Sequence, residues 1–198
     1  MEVLKKKIKS PYTQGMVVNL VMETVCEVLG SDQTELSAEM SIGDELGAES
    51  LDFVEIRYIL ERRLGISLPQ RSVLDHLAAL APGIATVAAD GKLSTLGAQA
   101  LRDSMFNYSD TLSHEGVSPN NVMQGATIRN WADLCFGILD TLPDACPDCG
   151  HTDAVVSRTG KSSCASCGAV IKPLSGDDAM AAATEKWLKT QEYAAIAA

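Results

Sequence analysis

Gly43-Asp44-Glu45-Leu46-Gly47-Ala48-Glu49-Ser50-Leu51-Asp52-Phe53-Val54-Glu55-Ile56 is the stretch on which the fold turns. It places one hydroxyl, Ser50, at the start of a helical pattern and sets carboxylates around it. Gly47 and Ala48 allow a tight entry and a close backbone approach. After Ser50, the apolar residues Phe53, Ile56, Ile59 and Leu60 recur at helical spacing, while Glu49, Asp52 and Glu55 take much of the remaining surface. The free N–H groups and dipole at a helix start favour negative charge, so a serine there can accept a phosphodiester. The competing reading makes Ser50 an N-cap, a position for which serine is among the favoured residues. A hydrolytic serine does not fit. The nucleophile elbow needs glycine two residues either side, and Ala48 and Asp52 stand there.

The run from Glu45 to Ile56 resembles the modification site of acyl carrier proteins: an acidic residue, Leu, Gly, Ala, Asp, Ser, Leu, then an acidic helix with an apolar stripe. The one departure in the core of the pattern is Glu49, where that family usually has Asp. The resemblance implies that Ser50 carries a 4′-phosphopantetheine arm ending in a thiol. It also implies that Leu51, Val54 and Tyr58 form the apolar part of a partner surface, with Glu49, Asp52 and Glu55 as its charged rim.

A chain of 198 residues is enough for one substantial domain or two small ones. Its formal net charge of −10 argues against a general binder of phosphate backbones, which needs a basic face. The same acidity suits docking onto basic patches of partner enzymes. No apolar run is long enough to span a bilayer. Lys5, Lys6, Lys7 and Lys9 precede no apolar core, so the start reads as a solvated basic arm and not as a signal peptide. A cytoplasmic protein is therefore expected, with cysteines present as thiols or metal ligands.

Helical periodicity predicts a first helix from Gln14 to Leu29, closed by Gly30, and a second from Ser50 to Gly65. A third helix around Val73, Leu77 and Leu80 is closed by Pro82-Gly83. The loop from Ser31 to Gly47 is pinned by Leu36, Met40, Ile42 and Leu46. Thr127-Ile128-Arg129-Asn130-Trp131-Ala132-Asp133-Leu134 resembles the closing helix of the carrier family, delayed by an insertion of about 84–126. Within the insertion a short helix is predicted from Ser94 to Met105, and Asn107 to Gln124 reads as loop. A truncated carrier followed by a separate unit is the alternative to this interrupted bundle.

Cys146-Pro147-Asp148-Cys149-Gly150 and Cys164-Ala165-Ser166-Cys167-Gly168 are matched C-x-x-C pairs, each followed by glycine. Four thiolates on a scaffold too small to bury a core are what a structural zinc site requires, so Cys146, Cys149, Cys164 and Cys167 are the candidate ligands. Zinc sites of this kind supply folding free energy on the order of 10–16 kcal/mol. A redox pair needs one such motif in a βαβ setting, and a rubredoxin-like iron cage wraps its metal in aromatics, of which none lies between Cys146 and Cys167. Ala154 to Ser157 and the segment after Thr159-Gly160 predict a hairpin, so the unit looks like a zinc ribbon. His151 reads as a surface residue, Cys26 and Cys135 as small buried hydrophobes, and His76 and His114 as non-catalytic. An Ala-rich closing helix is predicted over Asp177 to Ala198.

The fold expected is mainly α: an acyl-carrier-like four-helix bundle with an insertion before its last helix, then a small β zinc ribbon and a terminal helix. The helical domain spans 1–140, and the ribbon with its helix spans 141–198. The function expected is a monomeric carrier that holds acyl or aminoacyl intermediates as thioesters on the arm, and not an enzyme. Its partners would be a phosphopantetheinyl transferase and acyl-loading, condensing or acyl-transferring enzymes of fatty-acid or specialised-metabolite biosynthesis. Neither nucleic acid nor membrane insertion is expected. The competing class is a zinc-ribbon adaptor whose carrier-like domain is never modified.

Overall fold

The computed structural model describes residues 7–191. Among them, α1 (Gln14–Leu29), α2 (Ser50–Leu64), α3 (Val73–Leu80), α4 (Thr95–Arg102), α5 (Pro119–Gln124) and α6 (Ile128–Leu139) precede a hairpin of β1 (Ala154–Val156) and β2 (Ser162–Cys164). The final element is α7 (Gly176–Thr190). The chain is mainly helical, as its periodicity predicts.

The bundle forms because each helix carries its own stop and start signals. Thr13 caps α1, its hydroxyl accepting the Met16 N–H, and Gly30 closes it in the left-handed conformation. Gly65 does the same for α2. Val17, Val21 and Val25 of α1 meet Ile56, Leu60 and Leu64 of α2 and Val73 and Leu77 of α3 in one core. Helix α6 completes it. Thr127 and Asn130 cap that helix reciprocally, and Ile128, Trp131, Leu134, Cys135 and Ile138 are all buried in the same core. Backbone bonds from Ile42 N–H to Ala126 and from Ile128 N–H to Met40 stitch the loop before α2 to the start of α6. The last bundle helix thereby holds the approach to Ser50 in place.

The insertion is more ordered than its composition suggests. Its first helix ends at Arg102, three residues short of the expected Met105. A further helix, α5, lies inside the stretch read as loop. Pro119 opens it, where a missing N–H costs nothing, and Val122 buries its one apolar anchor in the main core. Six residues with one buried side chain leave little periodicity to detect.

The ribbon hairpin is antiparallel, pairing Ala154 with Cys164 and Val156 with Ser162. Beneath it lies a second, small core of Ile8, Leu142, Cys146, Cys164 and Ile171. Lys7 donates to the Asp140 carbonyl and Ile8 is fully buried, so the described part of the N-terminal arm is anchored at Ile8, while Lys7 and Lys9 remain exposed. Lys5 and Lys6 lie outside the described residues. Helix α7, grouped by sequence with the ribbon, belongs to the larger core through Ala179 and Met180. Core membership therefore crosses the 140/141 division in both directions. The stretch 192–198 of the expected terminal helix lies outside the described residues.

Asp177 explains how α7 is held. Its carboxylate accepts the Gln70 and Arg71 N–H groups at 3.2 and 3.1 Å and the Nε2 of buried His76 at 3.1 Å. Because an Arg71 guanidinium N–H faces His76 Nδ1 at 3.2 Å and an arginine only donates, the ring proton sits on Nε2. His76 is thus a buried residue with both ring nitrogens engaged.

Candidate functional site

Ser50 is the first residue of α2, and it is not the cap. The N-cap is Glu49, whose N–H is accepted by Asp52 at 2.7 Å in a reciprocal capping box. Among the described residues no hydrogen bond engages the Ser50 hydroxyl, which is exposed. The N-cap reading of Ser50 is thereby removed by its own neighbours. The turn leading in is rigid. The Glu45 carboxylate accepts both the N–H and the hydroxyl of Ser41, at 2.7 and 3.0 Å. Those bonds, the backbone one foremost, hold the Glu45 carboxyl below its ordinary value. Gly47 then reverses the chain at φ 72°, a conformation that disfavours any side chain with a Cβ. Ala48 is buried behind it and donates to the Ile42 carbonyl. An exposed oxygen therefore stands at the positive end of a helix, on a fixed platform.

Leu51, Val54 and Tyr58 follow at spacings that share one helix face, and they are 82%, 62% and 57% exposed. Three large apolar side chains in water along one face are an unusual use of surface. Glu49 and Glu55 are exposed beside them and Asp52 is half-buried. The structure brings together all the residues of the α2 face singled out in the sequence.

On the other side of α2, Phe53 stacks on Trp131 with ring centroids 5.9 Å apart. It opens onto a cavity of about 470 Å³ between α2, α3 and the insertion. Its walls include Phe106 and Tyr108, stacked at 5.1 Å, and Leu101 and Val122. The sequence reading missed this feature. A signal was present: two aromatics one residue apart, Phe106 and Tyr108, where a polar loop begins in a chain that is 5% aromatic.

The four cysteines converge. All four sulfurs lie within 4.8 Å of one another, with Cys146 to Cys167 at 3.8 Å and Cys149 to Cys164 at 3.5 Å. A tetrahedral ion with bonds of about 2.3 Å sets sulfurs about 3.8 Å apart, so the set fits zinc. It does not describe disulfides, whose sulfurs bond at about 2.05 Å. Each knuckle closes alike: Gly150 N–H meets the Cys146 carbonyl and Gly168 N–H the Cys164 carbonyl. The Cys164 thiol is pulled down to about 6, first by the Cys167 N–H, then by Ser166 against a rise from burial. Cys167 moves to about 12: the Ala169 N–H lowers it, but the Cys149 thiol, burial and the other thiols outweigh that. Such thiols share protons that a divalent cation would displace. His151 lies outside the cluster, 3.4 Å from an Asp153 oxygen. Of the other cysteines, Cys135 is buried and pushed to about 12, foremost by that burial, whereas Cys26 is only partly buried.

The phosphopantetheine attachment site family matches residues 19–80, a stretch that takes in most of α1 and all of α2 and α3. The acyl carrier protein of Clostridium acetobutylicum is 43% identical over 54 residues, 27% of this chain and 70% of that protein. Its counterpart from an Exiguobacterium species is 39% identical over 56 residues, 28% and 71% of the two chains. That of Cyanophora paradoxa is 31% identical over 61 residues, 31% and 59% of the two. No solved structure matches. Fold and site together define a helical carrier of a phosphopantetheine group. The chain belongs to the acyl carrier protein family. Among the described residues no helix is long and apolar enough to cross a membrane.

Proposed function

We propose that Ser50 is the attachment point of the 4′-phosphopantetheine arm and that the chain presents acyl groups, as thioesters, to partner enzymes of fatty-acid or specialised-metabolite biosynthesis. The observation that carries this is the disengaged Ser50 hydroxyl at a helix start already capped by Glu49 and Asp52. The arm supplies a thiol on a flexible tether, which raises the local concentration of its cargo at each partner site. This chain's residues do the rest. The first N–H groups of α2 face the phosphodiester. Leu51, Val54 and Tyr58 meet the partner, with Glu49, Asp52 and Glu55 steering a basic patch toward them.

The aromatic-walled cavity beside α2 favours an apolar acyl cargo over an aminoacyl one, because a charged amine has no carboxylate among its lining residues. Cys146, Cys149, Cys164 and Cys167 hold one structural zinc, since four sulfurs leave no open position for substrate. In this reading the chain divides into a carrier, 1–140, and a ribbon with its helix, 141–198, with Ile8 and α7 exchanged between their cores. Intact mass after incubation with a phosphopantetheinyl transferase and coenzyme A tests the assignment. Wild type gains one arm and Ser50→Ala gains none. Modification of the alanine variant, or an inert wild type with several transferases, overturns it and favours the unmodified adaptor.

A further inference from the structure

The ribbon is seated on α2, the helix that begins at Ser50. Its turn is closed by the Ser157 N–H to Lys161 carbonyl bond, and Gly160 enters it at φ 75°. The Gly160 carbonyl accepts the Tyr12 hydroxyl, and a Cβ on Gly160 would collide with the Arg63 carbonyl. Only glycine allows the turn to lie this close to the end of α2. The consequence is a groove of about 530 Å³ whose walls come from both units, with Tyr58, Arg62 and Arg63 on one side and Arg158 on the other. Leu20 and Ile59 give it an apolar floor.

The charges of this groove run against those of the chain. Arg63 is committed to Glu27, with Glu23 at 3.9 Å. Arg62 instead lies over the Tyr58 ring, 5.5 Å from its centroid, and bonds its hydroxyl at 3.2 Å. Among the described residues neither Arg62 nor Arg158 has an ion-pair partner, and both are exposed. Two guanidinium groups without a carboxylate partner, lining one groove with the Tyr58 ring, form a positive patch on a protein of net charge −10. The patch lies about 18 Å along the helix from Ser50 at 1.5 Å per residue.

We propose that the ribbon turn and the C-terminal half of α2 form a second docking surface, which takes an acidic segment carrying an apolar residue from a partner protein that acts on the arm. The proposal rests on the carrier reading of Ser50. Charge complementarity selects the occupant: the guanidinium groups of Arg62 and Arg158 recognise carboxylates, and the floor of Leu20 and Ile59 takes an apolar side chain. The two halves of α2 then carry opposite signs, so a partner must match both and is fixed in register. The ribbon's role is to place Arg158 in the wall of the groove that Arg62 also lines.

The test uses the ¹⁵N-labelled full chain, zinc-loaded and with its arm attached. It is titrated with a short peptide of Asp and Glu around a central Leu, with a Lys-for-acid peptide and a single-stranded oligonucleotide as comparisons. Saturable amide shifts are expected at Tyr58, Arg62, Arg158 and Thr159. Arg62→Glu combined with Arg158→Glu should weaken binding roughly tenfold, because both exposed cations are then replaced by anions that repel the acidic peptide. The charge-matched Lys92→Glu with Lys172→Glu should leave it unchanged. Shifts confined to the Ser50 half of α2, equal losses in both double variants, or tighter binding of the oligonucleotide would each overturn the proposal. Ser50 modification is followed by mass on the same variants. A wild type that stays unmodified yet still binds the acidic peptide sinks the carrier reading and not the surface, and lost peptide specificity with intact modification sinks the surface alone.

Discussion

The bundle and the ribbon reach order by opposite means. Helices α1, α2, α3 and α6 close a broad core of aliphatic stripes, whereas the ribbon's core is Ile8, Leu142, Ile171 and two of its own cysteines. Apolar area at about 25 cal/mol per Å² sustains the first. The second has too little of it and depends on a metal to bring its loops together. The difference sorts position as well: the apolar-cored part presents Ser50, and the ribbon lies against the far end of the same helix.

The largest effect should come from taking the metal away. Chelation, or Cys149→Ser, should unfold the hairpin, with loss on the order of 10 kcal/mol of binding free energy that is also folding free energy. Elemental analysis should fall from one equivalent of zinc, while far-ultraviolet circular dichroism keeps the bundle's helical signal. If helicity collapses too, the two units are a single cooperative body and the comparison fails.

The same contrast is sharpened inside the bundle. Ile138→Ala removes a fully buried side chain and should cost about 2–5 kcal/mol in denaturant unfolding. Ile8→Ala should behave differently, lowering zinc retention more than bundle stability, because Ile8 belongs to the ribbon's core. Equal effects of both variants on the bundle would contradict the assignment of Ile8.

Smaller effects test the joints. Thr127→Ala should cost about 1 kcal/mol, the usual worth of a side-chain cap, and should loosen the loop stitched to α6. Asp177 gives a pH dependence. Burial pushes its carboxyl up, but the Arg71 and Gln70 N–H groups and His76 outweigh that and hold it below its ordinary value. A carboxyl depressed by folding stabilises above its unfolded pKa of about 3.9 and loses that contribution as pH falls through the lower folded value. Wild type should therefore lose thermal stability faster than Asp177→Asn as pH falls below about 4. Parallel acid profiles would show that the carboxylate does not hold α7.

Much of this was legible in the chain. The bounds of α1, α2 and α3 follow from stripes ended by Gly30, Gly65 and Pro82, and the cysteine spacing announces the metal site. The illegible parts are those where a single side chain decides. Val122 is the one buried side chain of α5, Ile8 is the arm's one residue in the ribbon's core, and neither produces a period. The capping role of Glu49 was hidden for a different reason: Ser50 is the better cap by intrinsic preference, and only the backbone shows that Glu49 and Asp52 occupy that role. The groove that Arg62 and Arg158 both line joins residues far apart in sequence and needs the fold.

Peptide mapping of the transferase-treated wild-type protein tests the central claim most directly. After proteolysis, one phosphopantetheine should be found, on the peptide containing Ser50, with fragmentation placing it on that residue and every other serine unmodified. An arm on a different serine, or none on protein whose bundle is folded, would contradict the account.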